Sequence, residues 1–223
     1  MNIAFFGGTF DPVHTGQLRA ARAALVRFQL DRVLFVPSGT PPHKQSAGLT
    51  PYPHRFAMVA LATRGEPAFV PSLLEAPRPD GRPNYSVETV ETVRRALRAK
   101  DRFYFILGLD SFLDLPNWKD YRRLCELVEF IVVSRPGFGN RGTLAPPGGR
   151  GRSGAPRTWA DALGVRRAEV HLLSGVHVPV ASRDIRRAAR AAQPLAGLVP
   201  PLVEEYIVKE ELYRPGRPGR VLK

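Results

Sequence analysis

The residues best suited to chemistry in this 223-residue chain form one loop near its start. A short apolar run, Ile3–Phe6, is followed by the letters GGTFDPVHTGQ at positions 7–17, and a helical pattern begins near Gly16. Two glycines let backbone N–H groups approach phosphate oxygens, and the start of a helix favours anions. His14, just ahead of that helix, can donate to a phosphate. The loop therefore predicts phosphate binding, with a plain helix-capping turn as the simpler alternative; the GxGxxG and P-loop motifs do not fit it.

Two further stretches carry groups that suit anionic ligands. Pro41–Lys44 follows the second apolar run, and His43 and Lys44 can each donate to a phosphate there, unless this is only a solvated basic loop. Asn84–Thr89 begins a helical pattern whose free N–H groups suit a carboxylate. Ser86 in that stretch can also serve simply as a helix cap.

Polar and aromatic side chains also follow later apolar runs. Gly108 and Asp110 end one of them, so that Asp110 can accept a hydrogen bond from a ribose hydroxyl. Trp118 lies in a polar segment, where it either packs on a planar ligand ring or plugs a hydrophobic gap. Ser182 can cap a late helix and face phosphate oxygens, and Arg186, one turn on, can bind the same group.

The elements that position these residues alternate in type. Short apolar runs alternate with helical patterns, which favours right-handed βαβ units. We therefore expect an α/β fold, a Rossmann-like doubly wound parallel sheet of five to six strands with helices on both faces. The expected strands are Ile3–Phe6, Val33–Val36, Ala68–Val70, Phe103–Leu107, Phe130–Ser134 and Val170–Leu173. The expected helices are Gly16–Gln29, His54–Thr63, Ser86–Ala99, Arg183–Ala192 and Pro201–Glu211.

The domain organisation looks simple. Residues 1–213 are expected to form a single domain, interrupted by a flexible Gly/Pro/Arg-rich loop at 136–157 and followed by a basic tail at 214–223. The single cysteine, Cys125, leaves no partner for an internal disulfide and suits a buried apolar position. The start of the chain does not resemble a secretory signal, and no apolar run reaches the roughly 18 residues of a membrane span. We expect a cytoplasmic protein with no membrane partner; its oligomeric state stays open.

The net charge of +13 and the sequence pI of about 10.8 allow two interpretations. A basic face could bind nucleic acid. The arginines are scattered, however, without interleaved aromatic residues and without a known nucleic-acid module. We therefore expect an anionic small-molecule substrate and no specific nucleic acid.

The segment Gly7–Gly16 resembles the signature loop of the nucleotidyltransferase superfamily, and the branch it resembles most is nicotinate-nucleotide adenylyltransferase. In that family the motif ends HxGH, whereas this chain has Gln17 at the second histidine. Val180–Arg186 resembles the second signature, ISSTxIR, with departures at Ala181 and Arg183. The PPHK, YSxET and GxD stretches and the tryptophan resemble the same branch, and the resemblance runs to a structural C-terminal helix.

The resemblance implies a reaction and a set of residues. AMP from ATP would be joined to nicotinate mononucleotide, giving nicotinate adenine dinucleotide and pyrophosphate in NAD biosynthesis. Mg²⁺ would accompany ATP, bound mainly by water and phosphate oxygens, so that no protein metal ligand is expected. The implied ATP-binding residues are Gly7, Gly8, Thr9, Phe10, His14, Gly108, Asp110, Ser182 and Arg186. The implied substrate-binding residues are Thr9, Lys44, Tyr85, Ser86 and Trp118, and the catalytic ones are His14, Gln17, Lys44, Ser182 and Arg186.

Gln17 leaves room for other functions. Glutamine keeps an N–H donor but cannot become charged, so we expect catalysis that is reduced, not absent, relative to a histidine. The alternatives are a related nucleotidyltransferase acting on nicotinamide mononucleotide or phosphopantetheine, and a non-catalytic nucleotide-binding protein, which Gln17 and Arg183 together would suit.

Overall fold

The protein is built on one parallel β-sheet. The structure, a computed structural model, describes residues 1–40, 48–133, 158–176 and 179–214. In these ranges six parallel strands form a sheet with the order β3-β2-β1-β4-β5-β6. The strands are β1 (Asn2–Gly8), β2 (Arg32–Pro37), β3 (Phe69–Pro71), β4 (Arg102–Gly108), β5 (Glu129–Val133) and β6 (Val170–Leu173). The direction of winding reverses between β1 and β4, which is where ligands bind in open α/β sheets.

Helices cover both faces of the sheet. The helices are α1 (Thr15–Arg27), α2 (Tyr52–Thr63), α3 (Ser86–Ala96), α4 (Leu109–Leu113), α5 (Tyr121–Leu127), α6 (Trp159–Leu163), α7 (Ser182–Arg190) and α8 (Pro201–Lys209). A 3₁₀ turn, Leu115–Asn117, separates α4 from α5. Two buried clusters place α1, α2, α7 and α8 on one face and α3 to α6 on the other. None of these helices is long and apolar enough to cross a membrane.

The strands are apolar on both sides because both faces are covered. Phe5 and Phe6 illustrate this in β1: Phe5 packs edge-on against Phe105 in one cluster, and Phe6 packs against Phe10 and Phe35 in the other. Because the strands are buried along their length, the carboxyl ends of β1 and β4 lie at the same edge of the sheet. The loops after β1 and β4 therefore leave the sheet side by side.

The expected fold class is confirmed, and all six expected strands are present. The three short helices α4, α5 and α6 were not expected from the sequence. They span five to seven residues each, which is too few for a 3.6-residue periodicity to be seen. Ser134, the 136–157 loop and most of the 214–223 tail lie outside the described residues.

Gly39, after β2, tests the packing of the loops beside the sheet. A Cβ atom there would lie 2.7 Å from the Pro77 nitrogen and 2.8 Å from Asn84 Oδ1, and it would also meet the Glu75 carbonyl oxygen. We expect Gly39→Ala to lower the free energy of unfolding by about 1–3 kcal/mol, because backbone must move to make room. Urea unfolding measures this. The control is Gly65→Ala, where a Cβ meets nothing within 4 Å; equal losses in both variants would contradict the prediction.

Candidate active site

A cavity of about 930 Å³ opens at the carboxyl ends of β1 and β4, at the point where the winding reverses. The loop after β1, the starts of α3 and α7 and the segment after β4 all line it. Ten of the expected site residues lie on its wall. They are Gly7, Gly8, Thr9, His14, Gln17, Tyr85, Ser86, Gly108, Trp118 and Ser182.

The start of α1 is closed by a reciprocal pair of hydrogen bonds. His14 is the N-cap, and its Nδ1 accepts from the Gln17 backbone N–H at 3.4 Å. The Gln17 Oε1 in turn accepts from the His14 backbone N–H at 3.1 Å. This is a capping box, with histidine and glutamine in the two roles. Gln17 therefore holds His14 in place and also lines the cavity.

His14 is held in its neutral form. Burial lowers the pKa of His14 from 6.5 to about 4, so the imidazole is uncharged at neutral pH. Since Nδ1 accepts the Gln17 N–H, the proton of the neutral ring belongs on Nε2. His14 thus offers one N–H donor and no net charge until an anion binds.

The backbone before His14 is held by a buried arginine from α2. Arg55 is only 2% exposed. Its Nη1 donates to the Thr9 carbonyl oxygen at 2.8 Å, its Nε to the Thr50 carbonyl oxygen at 2.9 Å, and its Nη2 to the Gly39 carbonyl oxygen at 3.3 Å. One guanidinium therefore ties the loop after β1 to the two ends of the connection between β2 and α2. Sequence reasoning missed Arg55, because an arginine in a helical pattern is usually exposed.

Residues of the second signature anchor the same loop from the other side. The Ser182 hydroxyl donates to the Pro12 carbonyl oxygen at 2.9 Å, and Arg186 Nη1 donates to the Asp11 carbonyl oxygen at 2.6 Å. Ser182 lines the cavity, whereas Arg186 lies behind the loop and is not part of the wall. In this structure Arg186 therefore holds the loop after β1; its expected contact with phosphate stays a prediction.

The N-terminus of α7 opens into the cavity. Its N-cap is Ala181, which supplies no side-chain acceptor, and in the described residues no acceptor takes the N–H groups of Ser182 and Arg183. Arg183 is exposed and lines the wall, and no carboxylate within the described ranges pairs with it. Free N–H groups and a helix N-terminus beside a cation suit a phosphate. In the sequence, Arg183 stands out only as a departure from the second signature pattern.

The start of α3 forms the opposite wall. The Thr40 backbone N–H donates to Asn84 Oδ1 at 3.1 Å, and the Asn84 N–H donates back to the Thr40 carbonyl oxygen at 3.1 Å. The Lys119 ammonium lies 4.1 Å from the centre of the Tyr85 ring and binds Glu88 Oε1 at 2.8 Å. These contacts fix the first turn of α3, where Ser86 lines the cavity.

Glu75 is a cavity residue that the sequence did not reveal. It is 4% exposed, and the Thr89 hydroxyl donates to its Oε1 at 3.1 Å. Burial raises the pKa of Glu75 from 4.5 to about 7, against the opposing effects of Thr89 and Arg78. A buried carboxyl in a cleft is the kind of group found at functional sites.

The residues after β4 are placed less uniformly. Trp118 lies on the wall, half-buried, with its Nε1 donating to Asp114 Oδ2 at 3.3 Å and its ring 6.0 Å from that of Phe105. Asp110 is exposed in the first turn of α4, next to the wall residues Gly108 and Ser111 but not among them. Trp118 therefore offers a ring edge and face to a ligand, and Asp110 lies at the rim.

Of the two other expected residues, Phe10 is buried and Lys44 is not among the described residues. Phe10 is buried and packs against Phe6 and Phe35, so only its backbone can serve a ligand. Lys44, with its neighbour His43, lies outside the described residues. Their expected contacts with phosphate stay predictions.

A group of side chains able to ligate a metal lies far from the cavity. Within the described ranges it consists of Glu129, Glu169 and His171, at the opposite, amino-terminal end of β5 and β6. Arg102 binds both oxygens of Glu129, at 3.1 and 2.7 Å, and His171 Nε2 lies 2.8 Å from Glu129 Oε2. This is an ion-pair network at the base of the sheet.

Comparison with known proteins identifies the family. A family model described as "Cytidylyltransferase-like" matches residues 5–188. A relative from Symbiobacterium thermophilum, named "Probable nicotinate-nucleotide adenylyltransferase", is 43% identical over 96% of each chain. One of the same name from Geotalea daltonii is 36% identical over 97% of this chain and all of its own. The chain belongs to the nicotinate-nucleotide adenylyltransferase family.

Solved structures agree with this family at the level of the fold. The nicotinic acid mononucleotide adenylyltransferase of Plasmodium falciparum, complexed with APC, superimposes with a TM-score of 0.69 over 95% of this chain and 96% of its own, at 16% identity. The same enzyme complexed with NaAD gives a TM-score of 0.68 over 95% and 97%. The family's fold is therefore kept at low sequence identity.

Glu75 gives this family member a pH-dependent stability that can be tested. The folded protein holds the Glu75 proton more tightly than the unfolded chain, so the carboxyl destabilises the fold increasingly as pH rises from 4.5 to about 7. Glu75→Gln removes this effect and still accepts from Thr89. We expect the variant to become more stable than the parent protein across that range, by about 2–3 kcal/mol at its upper end. Urea unfolding at several pH values measures the difference.

Glu88→Gln serves as the control for Glu75→Gln. Hydrogen bonds from Lys119 and Arg78 lower the pKa of Glu88, so its stabilising contribution is present above 4.5 and lost at lower pH. The two variants should therefore change stability in opposite directions at neutral pH. A Glu75→Gln variant whose stability relative to the parent does not change with pH would contradict the prediction.

Proposed function

We propose that this chain is an adenylyltransferase that joins AMP from ATP to nicotinate mononucleotide, releasing pyrophosphate and forming nicotinate adenine dinucleotide in NAD biosynthesis. The observation that carries this proposal is the pairing of two unlike walls in one cavity. On one wall the loop after β1, the start of α1 and the N-terminus of α7 suit phosphates. On the other wall the α3 N-terminus and Trp118 suit a planar ring that bears a carboxylate.

The start of α3 supports the choice of a carboxylate-bearing ring. Its N-cap, Tyr85, supplies no side-chain acceptor, and in the part of the chain that is described no acceptor takes the N–H groups of Ser86 and Val87. Two free N–H groups at a helix start can bind the two oxygens of a nicotinate carboxylate. Trp118 would stack on the pyridine ring that bears it.

The reaction is a displacement at the α-phosphorus of ATP. An oxygen of the nicotinate mononucleotide phosphate forms a bond to that phosphorus, and the bond from phosphorus to the bridging oxygen of pyrophosphate breaks. The attacking phosphate is already an anion, so no side chain has to take a proton or form a covalent intermediate. The protein's task is to hold two polyanions in line.

The cavity is suited to that task through donors fixed before the substrates arrive. Gly8 and Thr9 offer backbone groups, and the His14 Nε2–H donates to the triphosphate. The free N–H groups at the α7 N-terminus and the guanidinium of Arg183 receive the phosphates that leave. Asp110, at the rim, accepts from the adenosine ribose.

The magnesium ion that accompanies ATP would not need protein carboxylates as its ligands. Glu75 and Asp184 are the carboxylates on the described part of the wall; Glu75 is buried against Thr89, and Asp184 pairs with Arg187 at 3.1 Å. They form no carboxylate cage, so the ion would be held by phosphate oxygens and water. When bound, it supplies charge neutralisation at the phosphates.

A substrate panel tests the proposed function. The protein is mixed with ATP, Mg²⁺ and, in separate reactions, nicotinate mononucleotide, nicotinamide mononucleotide or phosphopantetheine, and pyrophosphate release is followed. We expect release to be fastest with nicotinate mononucleotide. Faster release with either of the other acceptors would show that the proposed acceptor substrate is wrong and that adenylyl transfer is still the reaction. ATP binding without release from any acceptor would favour a non-catalytic nucleotide-binding protein.

Arg183→Thr restores the residue that the signature pattern has at this position. Because Arg183 is exposed, we expect the loss of its charge to weaken ATP and pyrophosphate binding by roughly threefold to tenfold while the KM for nicotinate mononucleotide changes little. Arg187→Thr is the control, since Arg187 lies one turn further along α7 and off the wall. The same change in both variants would show that the effect is general surface charge.

Gln17→His tests the departure from HxGH. A histidine can become charged beside the phosphates, so we expect a higher kcat, by less than the roughly 100-fold effect of adding a whole donor. The substitution also removes Gln17 Oε1, which accepts the His14 backbone N–H. We expect this loss to lower the free energy of unfolding by about 0.5–1 kcal/mol. Pyrophosphate release and thermal unfolding measure the two effects; a slower variant would contradict the expected role.

A further inference from the structure

Tyr213 reaches back to the signature loop from the other end of the chain. It follows α8 with a left-handed backbone, φ 68°, which turns its side chain toward the sheet. Its hydroxyl donates to Asp11 Oδ1 at 2.8 Å, across a sequence separation of 202 residues. The family model matches residues 5–188, so Asp11 lies inside the matched segment and Tyr213 beyond it.

The carboxyl group that Tyr213 contacts has few donors and little water. Asp11 is 2% exposed, and its other oxygen accepts only the Thr50 backbone N–H, at 3.3 Å, in the described parts of the chain. Burial and the Asp11 carboxyl raise the pKa of Tyr213, so the phenol stays protonated and remains a donor. A buried acceptor that loses its donor is costly, which makes the geometry of this pair stiff.

The position of Asp11 affects the wall of the cavity through its neighbours in the loop. Its backbone carbonyl accepts Arg186 Nη1 at 2.6 Å, and the next carbonyl, that of Pro12, accepts the Ser182 hydroxyl at 2.9 Å. Thr9, two residues before Asp11, and His14, three residues after it, both line the wall. A shift of Asp11 therefore moves phosphate-binding groups on both sides of it.

We propose that Tyr213 is a positioning residue for adenylyl transfer: its hydroxyl fixes Asp11 and thereby the loop that presents Gly8, Thr9 and His14 to ATP. This inference rests on the proposed function. Tyr213 is not among the residues that line the cavity, so its effect is on how well the loop matches the triphosphate.

Tyr213→Phe removes the hydroxyl and keeps the ring, which packs against the core. We expect kcat to fall about tenfold or more and the affinity for ATP to fall with it, while the KM for nicotinate mononucleotide stays near that of the parent protein. The matched control is Tyr206→Phe. The Tyr206 hydroxyl lies 2.9 Å from His54 Nδ1, between α8 and α2 and away from the loop.

The control separates positioning from stability. Both variants lose one partly buried hydrogen bond, so we expect similar falls in melting temperature, with kcat and ATP affinity changed only in Tyr213→Phe. Tyr213→Phe with the kinetics and ATP affinity of Tyr206→Phe would overturn the proposal and leave Tyr213 a purely structural residue. If Tyr213→Phe unfolds, the measurements are repeated in sucrose, which favours the folded state of both variants.

Equilibrium ATP binding keeps this test apart from that of the proposed function. It is measured without an acceptor substrate, for the parent protein and both variants. If the parent protein releases no pyrophosphate with nicotinate mononucleotide, the proposed function fails. A specific loss of ATP affinity in Tyr213→Phe would still support the positioning of the loop, and unchanged affinity would overturn it.

Discussion

The site depends on how a short stretch of irregular backbone, residues 9–14, is held by the buried guanidinium of Arg55. Burying a charge is unfavourable unless it is hydrogen-bonded, and Arg55 meets that condition with three carbonyl acceptors. The same stretch contains Phe10 at φ 48°, a conformation that large side chains seldom adopt. Such a backbone persists only where its surroundings determine it, and here Arg55 and the aromatic packing of Phe10 do so.

The electrostatics of the cavity come more from backbone than from free charges. The starts of α1, α3 and α7 all reach its wall. Among the described wall residues His14 is neutral, Lys119 is paired with Glu88, and Arg183 is the cation left exposed without a carboxylate partner. Backbone donors of this kind need no rearrangement when charge develops on the substrates.

The sequence revealed most of the fold and the parts of the site that lie in contiguous motifs. The glycine pair, His14, Ser86 and Ser182 all reach the cavity because each lies at the end of a strand or at a helix start, and such positions follow from local sequence. Arg55 and Glu75 could not be found this way. Both are charged residues whose burial depends on loops that meet only in the folded chain.

Side-chain direction was the other limit of sequence reasoning. Arg186 and Tyr213 lie in segments that resemble the family, yet nothing local indicates that both turn toward Asp11. Helical spacing places a residue on a face of its helix, but which neighbour that face meets is decided by the order of the strands. The contact between Asp11 and Tyr213 is a tertiary contact of this kind, which the local sequence does not predict.

The distance in sequence between Asp11 and Tyr213 has a consequence for synthesis of the protein. The sheet's central strands, β1, β2 and β4, are complete once residue 108 has been made, whereas the α7 side of the cavity, residues 179–184, is translated later. The last donor to Asp11 is translated 202 residues after it. The contact between Asp11 and Tyr213 can therefore form only after almost all of the described chain has been made, long after Arg55 is available to hold the loop after β1.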